Sequence, residues 1–266
     1  MKKLGLSLGL SLLVVAAGCG EHEQPEEIFN RSKAVMEDST ESLHFKQWQN
    51  LNVSGESTNI NTRGATRLQP FELYMISTMD LVDFNEPLEF EFMIDGDEAY
   101  YKEDGEPTQF ADDVQSTVVD MINPLDEMDR YAPFEQSMLM KEIEDYYEVS
   151  FRTDQEQHIP LVMEKMEQWG VVEEGLEDAI EDSIEIERID MVAFIDKETY
   201  QLHQFDTRYR FLVNIQGDLH QIDDQQSLRY EYINEIDGDL ETFVRWLIEE
   251  EQQEEDDEEE DEEELL

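Results

Sequence analysis

Nucleophiles, acid–base pairs and metal ligands are the residues that do chemistry, and outside its carboxylates this 266-residue chain offers few of them. It has one cysteine, Cys19, so an intramolecular disulfide and a multi-cysteine metal site are both excluded. The five histidines, His22, His44, His158, His203 and His220, are scattered along the chain. His203 and His220 are expected to face each other across the last hairpin, as a surface pair or, alternatively, a metal site. No H-E-x-x-H, G-x-S-x-G or P-loop pattern occurs. With 69 Asp and Glu, no single pair can be picked out for glycosidic chemistry. Two Asp-Gly-Asp segments can be tested against a calcium loop, whose sixth position requires glycine. With Gly96 there, Glu91 falls first, but Met93 takes the third position and Lys102 the twelfth. With Gly238 there, Ile233 falls first and Val244 twelfth, leaving only Glu235 and Asp237 as ligands. Both segments therefore read as turns. The expectation is a protein that is not an enzyme, with no metal and no cofactor.

Cys19 has a different use. Lys2 and Lys3 precede a run from Leu4 to Ala17 built only of Leu, Gly, Ser, Val and Ala. That is the charged and apolar pattern of a secretory signal. It is shorter than the roughly 20 apolar residues that span a bilayer, so it targets rather than spans. Ala16-Ala17-Gly18 stands directly before Cys19 and resembles the lipobox of bacterial lipoproteins, with Ala16 where that motif usually has Leu. The resemblance implies that the Cys19 thiol receives a diacylglyceryl group and that the chain is cut before it. Two acyl chains suffice for stable attachment, at about 0.8 kcal/mol per buried methylene. The expected partner is then the membrane, and the expected location the outer face of the bacterial cytoplasmic membrane. An ordinary secretory signal cleaved nearby is the alternative.

Charge narrows the other partners. The chain carries −51, and loss of Lys2 and Lys3 with the signal takes the side-chain total to −53. Residues 249–266 hold 14 acids and no base, yet the rest is also strongly acidic. Such a surface repels nucleic-acid phosphates, so no nucleic acid is expected as partner. A high-salt exterior, where charges are screened over roughly 3 Å at 1 M, explains the acidity without a cationic ligand.

The elements follow from periodicity. Pro25-Glu26-Glu27 opens a first helix carrying Ile28, Phe29, Val35 and Met36 through Ser39. From Ser42 the pattern turns to strands. Phe71, Leu73, Met75, Met79 and Leu81 alternate with polar residues, as do Leu88, Phe90, Phe92 and Ile94, with Asn85-Glu86-Pro87 between the runs. Asp95-Gly96-Asp97 and Asp104-Gly105 mark hairpins. From about Asp112 to Met140 the spacing predicts helix: Val114, Val118, Met121 and Ile122 form a stripe, Asn123-Pro124 interrupts it, and Met138, Leu139 and Ile143 resume it. Tyr146 to Thr153 reads as a strand. His158-Ile159-Pro160 opens a helix with Val162, Met163, Met166 and Trp169 on one face and Gly170 as its stop, and a short acidic helix holds Val172, Leu176 and Ile180. Three long strands follow as a meander: Ile184 to Ile195, His203 to Ile215, and Leu219 to Ile236, with turns at Asp196-Lys197-Glu198-Thr199 and Gly217-Asp218. A last helix, Leu240 to Glu250, offers Leu240, Phe243, Val244 and Leu247 for burial before an acidic run expected to be disordered by self-repulsion.

This order of elements, with the turn Ile195-Asp196-Lys197-Glu198-Thr199-Tyr200, resembles the LolA/LppX-type lipoprotein superfamily, especially its uncharacterised bacillus-type lipoproteins. The resemblance covers roughly Pro25 to Ile248. It implies an α+β fold: a strongly curved antiparallel sheet, an unclosed half-barrel, with helices packed on its concave side. It also implies that a lipid or other apolar ligand is carried between sheet and helices. The domain reading is 1–18 signal peptide, 19–24 lipidated cysteine and tether, 25–248 LolA/LppX-like domain and 249–266 disordered acidic tail.

Phe71, Leu73, Met75, Met79, Phe90 and Phe92 are the candidate ligand-binding residues, methionine being suited to adaptable apolar contacts. The same residues could simply fill a core. Two functions stay open: a lipid-anchored binding or carrier protein, and an envelope interaction or sensing module for a protein partner of unknown identity.

Overall fold

The computed structural model describes residues 23–81, 86–96, 98–103, 106–109, 123–172 and 175–264. Cys19 and the expected helical stripe Val114, Val118, Met121 and Ile122 lie outside these residues.

Helix α1 (Pro25–Ser39) starts where the sequence reading places it. Pro25 sits in the first turn, and Gln24 and Glu27 form a reciprocal capping box. It buries Ile28, Phe29, Ser32 and Met36. Strands β1 (Ser42–Val53), β2 (Glu56–Leu68), β3 (Phe71–Asp80), β4 (Leu88–Asp95), β5 (Glu98–Glu103) and β6 (Glu106–Gln109) form one meander. Helix α2 (Pro124–Tyr131) and a 3-10 turn lead to β7 (Leu139–Ile143) and β8 (Tyr146–Thr153). Helices α3 (Ile159–Gln168) and α4 (Glu177–Glu181) precede a second meander: β9 (Glu185–Asp196), β10 (Leu202–Ile215) and β11 (Asp218–Glu231). Helix α5 (Leu240–Glu264) ends the described chain.

All ladders are antiparallel and build one eleven-stranded sheet in the order β6-β5-β4-β3-β2-β1-β11-β10-β9-β8-β7. The described ladder is not closed, because β6 and β7 are its two ends. This is the expected α+β half-barrel. The β1–β11 pairing, from His44 opposite Glu231 to Val53 opposite Ile222, joins the two meanders. Two hairpins turn on residue pairs that both have positive φ, Ser54-Gly55 and Gln216-Gly217, the geometry that matches strand twist. The β9–β10 turn is built by Asp196, whose Oδ1 accepts from the Glu198 and Thr199 amides at 3.0 and 2.7 Å and from the Thr199 hydroxyl at 2.8 Å. Burial pushes its pKa up, but these donors outweigh it and hold the carboxylate below its usual range.

The main core lies on the face covered by α1, α2 and α3, the concave side. Phe29, Phe45, Leu73, Met128, Tyr131, Met166, Phe205 and Phe211 belong to it. Two expectations differ from this structure. Met138, Leu139 and Ile143 do not resume a helix; residues 139–143 form an edge strand paired with β8, Leu139 opposite Ser150. Their spacing fits a helical period over so short a run, and pairing to an already formed strand decides between the two. Asn123-Pro124 begins helix α2, the Asn123 side chain accepting from the Leu125 amide at 3.1 Å; the expected helix before it lies outside the described residues. Finally, not every helix is on the concave side. α5 packs on the opposite, convex face, where Leu240 and Val244 meet Ala65, Tyr74 and Ile236. Its helical backbone continues into the acidic run that the charge pattern suggested would be disordered, and Glu251 there pairs with Lys46 at 2.5 Å and Arg63 at 2.6 Å.

Candidate functional site

The six candidate ligand residues come from adjacent strands and share the concave face. Met75 lies opposite Phe92, Leu73 opposite Ile94, and Met79 opposite Leu88, while Phe90 lies opposite Ser77 in the same register. Leu73 and Met75 are buried in the main core, and Phe71 and Phe92 pack against it. Met79 and Phe90 continue the stripe beyond that core and are half-buried. The stripe is thus part core and part half-exposed apolar surface.

Beside it runs a polar belt that the sequence reading missed. The hydroxyls of Ser77 and Thr62 are 2.7 Å apart across β3 and β2. On the next strands Gln49 Nε2 donates to Asp224 Oδ1 at 2.7 Å, and Gln226 accepts from Lys165 Nζ of α3 at 3.0 Å. Lys165 Nζ also stands 3.9 Å from Asp224 Oδ2. Tyr131 of α2 and Tyr209 of β10 share a hydroxyl hydrogen bond of 2.6 Å. Arg130 of α2 pairs with Glu127 at 2.5 Å and with Glu164 of α3 at 2.9 Å. Asp224 is completely buried. Burial raises its pKa, and the Lys165 ammonium and Gln49 amide only partly offset this. For Arg130, burial opposes the charge, but Glu127 and its other partners outweigh it and raise the pKa. Asp224 Oδ2 and Thr207 Oγ1 have no hydrogen-bond partner among the described residues. A count by twos back from Leu228 and Tyr230 puts Gln226 and Asp224 on the core face, but it does not supply their partners on β1 and α3.

On the convex face, a groove of about 610 Å³ is lined by Lys46, Trp48, Arg63, Arg229, Ile248 and Glu251 among others, and Trp48 is 43% exposed. At its edge Glu231 accepts from Lys46 at 3.1 Å and stands 3.5 Å from His44 Nδ1. The neighbouring His44 ring is the largest influence on the Glu231 carboxyl, followed by opposing burial and by Lys46, and its pKa falls to about 2.

The N-terminal entry is clasped to the domain. Glu23 accepts from Tyr147 at 2.9 Å and from Tyr200 at 3.0 Å, and Arg31 lies over the Tyr200 ring at 3.5 Å. Hydrogen bonding to Glu23 is the first cause that raises the Tyr147 phenol above its usual range. Lys197 ties the β9–β10 turn to the β7–β8 turn through the carbonyls of Asp145 and Glu144, each at 2.9 Å.

His203 and His220 do not face each other: His220 pairs with Val213 near the far end of the hairpin, whereas His203 stacks on Tyr146 at 4.9 Å. The Gln216-Gly217 turn puts the two at opposite ends of β10 and β11. His44 and His158 are buried, His158 Nδ1 lying 2.9 Å from the Thr153 hydroxyl. Among the described residues no group of three or more His, Cys, Asp or Glu is placed to hold a metal ion. Gly96 and Gly238 have positive φ, as turns require. No helix among the described residues is long and apolar enough to cross a membrane.

Three of the solved structures to which the chain is similar illustrate the likeness. LppX, a lipoprotein of Mycobacterium tuberculosis, is 10% identical over 79% of this chain and 95% of its own, with a TM-score of 0.41. LprF of Mycobacterium bovis is 12% identical over 78% and 91%, with a TM-score of 0.39. A LolA superfamily protein of Nitrosomonas europaea is 7% identical over 79% and 92%, with a TM-score of 0.24. No curated protein matches the chain. A family model matches residues 24–238, from the residue that caps α1 to the turn before α5, and the chain belongs to that family, the family of unknown function DUF6612.

Proposed function

We propose that this protein is a non-catalytic lipoprotein of the bacillus type, held by lipid on Cys19 at the outer face of the bacterial cytoplasmic membrane, whose half-barrel binds an acyl-chain ligand. The observation that carries the reading is the concave apolar stripe, which does not stop at the packed core but runs on to half-buried Met79 and Phe90. A core needs no such extension, whereas a flexible thioether beside an aromatic ring suits a chain of variable shape. Cys19 acylation places the domain where such ligands are found.

Native mass spectrometry of the full-length protein, taken from a bacterial host in mild detergent, tests the ligand. A non-covalent lipid mass is expected on the parent and is expected to be depleted in the Met79→Gln/Phe90→Gln variant. A parent free of lipid that also fails to take up a fluorescent long-chain fatty acid overturns the proposal. Cys19→Ser is expected to be released into the medium or left unprocessed, and a variant that stays bound and processed overturns the anchor. One observation favours a second reading, an envelope module that binds a protein. Trp48 is exposed in the convex groove between Lys46 and Arg63, and aromatic and arginine residues dominate protein interfaces.

A further inference from the structure

We infer that the end of the half-barrel carrying the β7–β8 and β9–β10 turns is held against the bilayer, so that the domain stands end-on and its acidic C-terminal helix points away from the lipid. The inference rests on the proposed lipidation of Cys19. Only Gly20, Glu21 and His22 separate that residue from Glu23. Four residue-to-residue steps span at most about 14 Å even when fully extended. Glu23 is not free to extend the leash, because Tyr147, Tyr200 and Arg31 hold its carboxylate on the domain. Tyr147 is the second residue of β8, beside the 144–145 turn, and Tyr200 lies in the 197–201 connection, so both belong to one rim. Lys197 bridges the two turns. The opposite rim, with Ser54-Gly55 and Gln216-Gly217, is a full strand away. β10 alone has 14 residues, about 45 Å at roughly 3.3 Å per residue.

A leash of that length allows the domain to stand or to lie down, and charge decides between them. The carbonyl of Gly238, just before α5, accepts from Arg67, which is near the clasped end of β2, opposite Ser42. Glu251 meets Arg63, four residues farther from that end. Helix α5 therefore runs along the convex face away from the clasped rim, towards residues 254–264, which carry no base. Lying down on the convex face brings this acidic run to the headgroups, and acidic side chains near an anionic surface are repelled by about 1 kcal/mol each within a Debye length. Standing on the clasped rim keeps it clear; that rim is mixed in charge, Arg31, Lys141 and Lys197 pairing with Glu23, Glu148 and Glu142 beside Glu144, Asp145 and Glu198.

The test uses the full-length lipidated protein. Acylation blocks the thiol of Cys19, so an introduced cysteine is the one site open to a thiol-reactive fluorophore. Glu198→Cys reports on the clasped rim and Glu56→Cys on the far rim; both positions are exposed. The proteins are reconstituted in phosphatidylcholine vesicles with a minority of phosphatidylglycerol and a headgroup nitroxide lipid. The label at 198 is expected to be quenched several-fold more than the label at 56, and Tyr147→Phe/Tyr200→Phe to shrink that difference. Equal quenching at both ends, or the reverse order, in protein that floats with the vesicles overturns the orientation while leaving the anchor standing. Protein that does not float, and lacks an acyl mass on Cys19, overturns the anchor and the orientation with it.

Discussion

Gly64→Ala is the most demanding test of how tightly the concave face is built. Gly64 lies in β2 between Phe45 of β1 and Met75 of β3, paired with both. Its backbone does not need glycine for conformational reasons; the constraint is space. A Cβ at this position would come within 2.5 Å of Phe45 Cζ and 2.7 Å of Met75 Cβ. The Met75 Cβ is fixed by its own backbone, and the Phe45 ring is fully buried in the core, so neither can step aside cheaply. Overpacking of this kind costs about 1–3 kcal/mol. Removing a glycine from a strand returns about 0.5–1 kcal/mol through the unfolded chain. The net expectation is a loss of about 1–2 kcal/mol, and at roughly 2–4 °C per kcal/mol for a domain of this size a melting point lower by a few degrees. Urea unfolding followed by tryptophan fluorescence measures it. Phe45→Leu removes the ring atoms that clash and leaves only the Met75 contact, so the double variant should be more stable than the sum of the single effects by about 1 kcal/mol. A neutral Gly64→Ala, or single effects that add within about 0.5 kcal/mol, would refute the packing argument.

Lys165→Met strips the buried Asp224 carboxylate of its cation and should cost about 3 kcal/mol or more at neutral pH. Because burial raises the folded pKa of Asp224, its favourable contribution is complete below the ordinary value of 3.8 and is lost as pH rises through the raised value. Without Lys165 that value rises further, so the penalty in urea unfolding should be smaller at pH 5 than at pH 8; a penalty independent of pH would contradict the assignment. Glu231→Gln should show the opposite dependence. A carboxyl held at about 2 contributes fully above its ordinary 4.5 and loses that contribution as pH falls towards 2. The stability gap between parent and variant should therefore close over that interval, and a gap that stays constant down to pH 2.5 would show that His44 and Lys46 do not hold the charge.

By itself the sequence determined what local physics controls. Alternation at period two placed the strands from Phe71 to Ile94 and from Ile184 onward, though it ran the last one to Ile236 where the structure ends it at Glu231, and helical spacing with Pro25 and Gly170 as punctuation placed α1 and α3. The acid excess argued against nucleic acid as a partner, and the single cysteine excluded an intramolecular disulfide, with no reference to the fold. Short or ambiguous runs were beyond it: Leu139 to Ile143 suits either period, and only the neighbouring β8 strand makes it an edge strand. The candidate apolar stripe was legible because residues two apart share a face. The polar belt was not, since Gln49, Asp224, Gln226 and Lys165 become partners only when β1 pairs with β11 across the whole domain and α3 settles on them. Nor could the pattern say on which face α5 would dock, because an amphipathic helix records that it must bury one side and not against what. Tertiary structure decided those points: burial removes water as an alternative partner, and each polar or apolar group must then accept the neighbour that topology supplies.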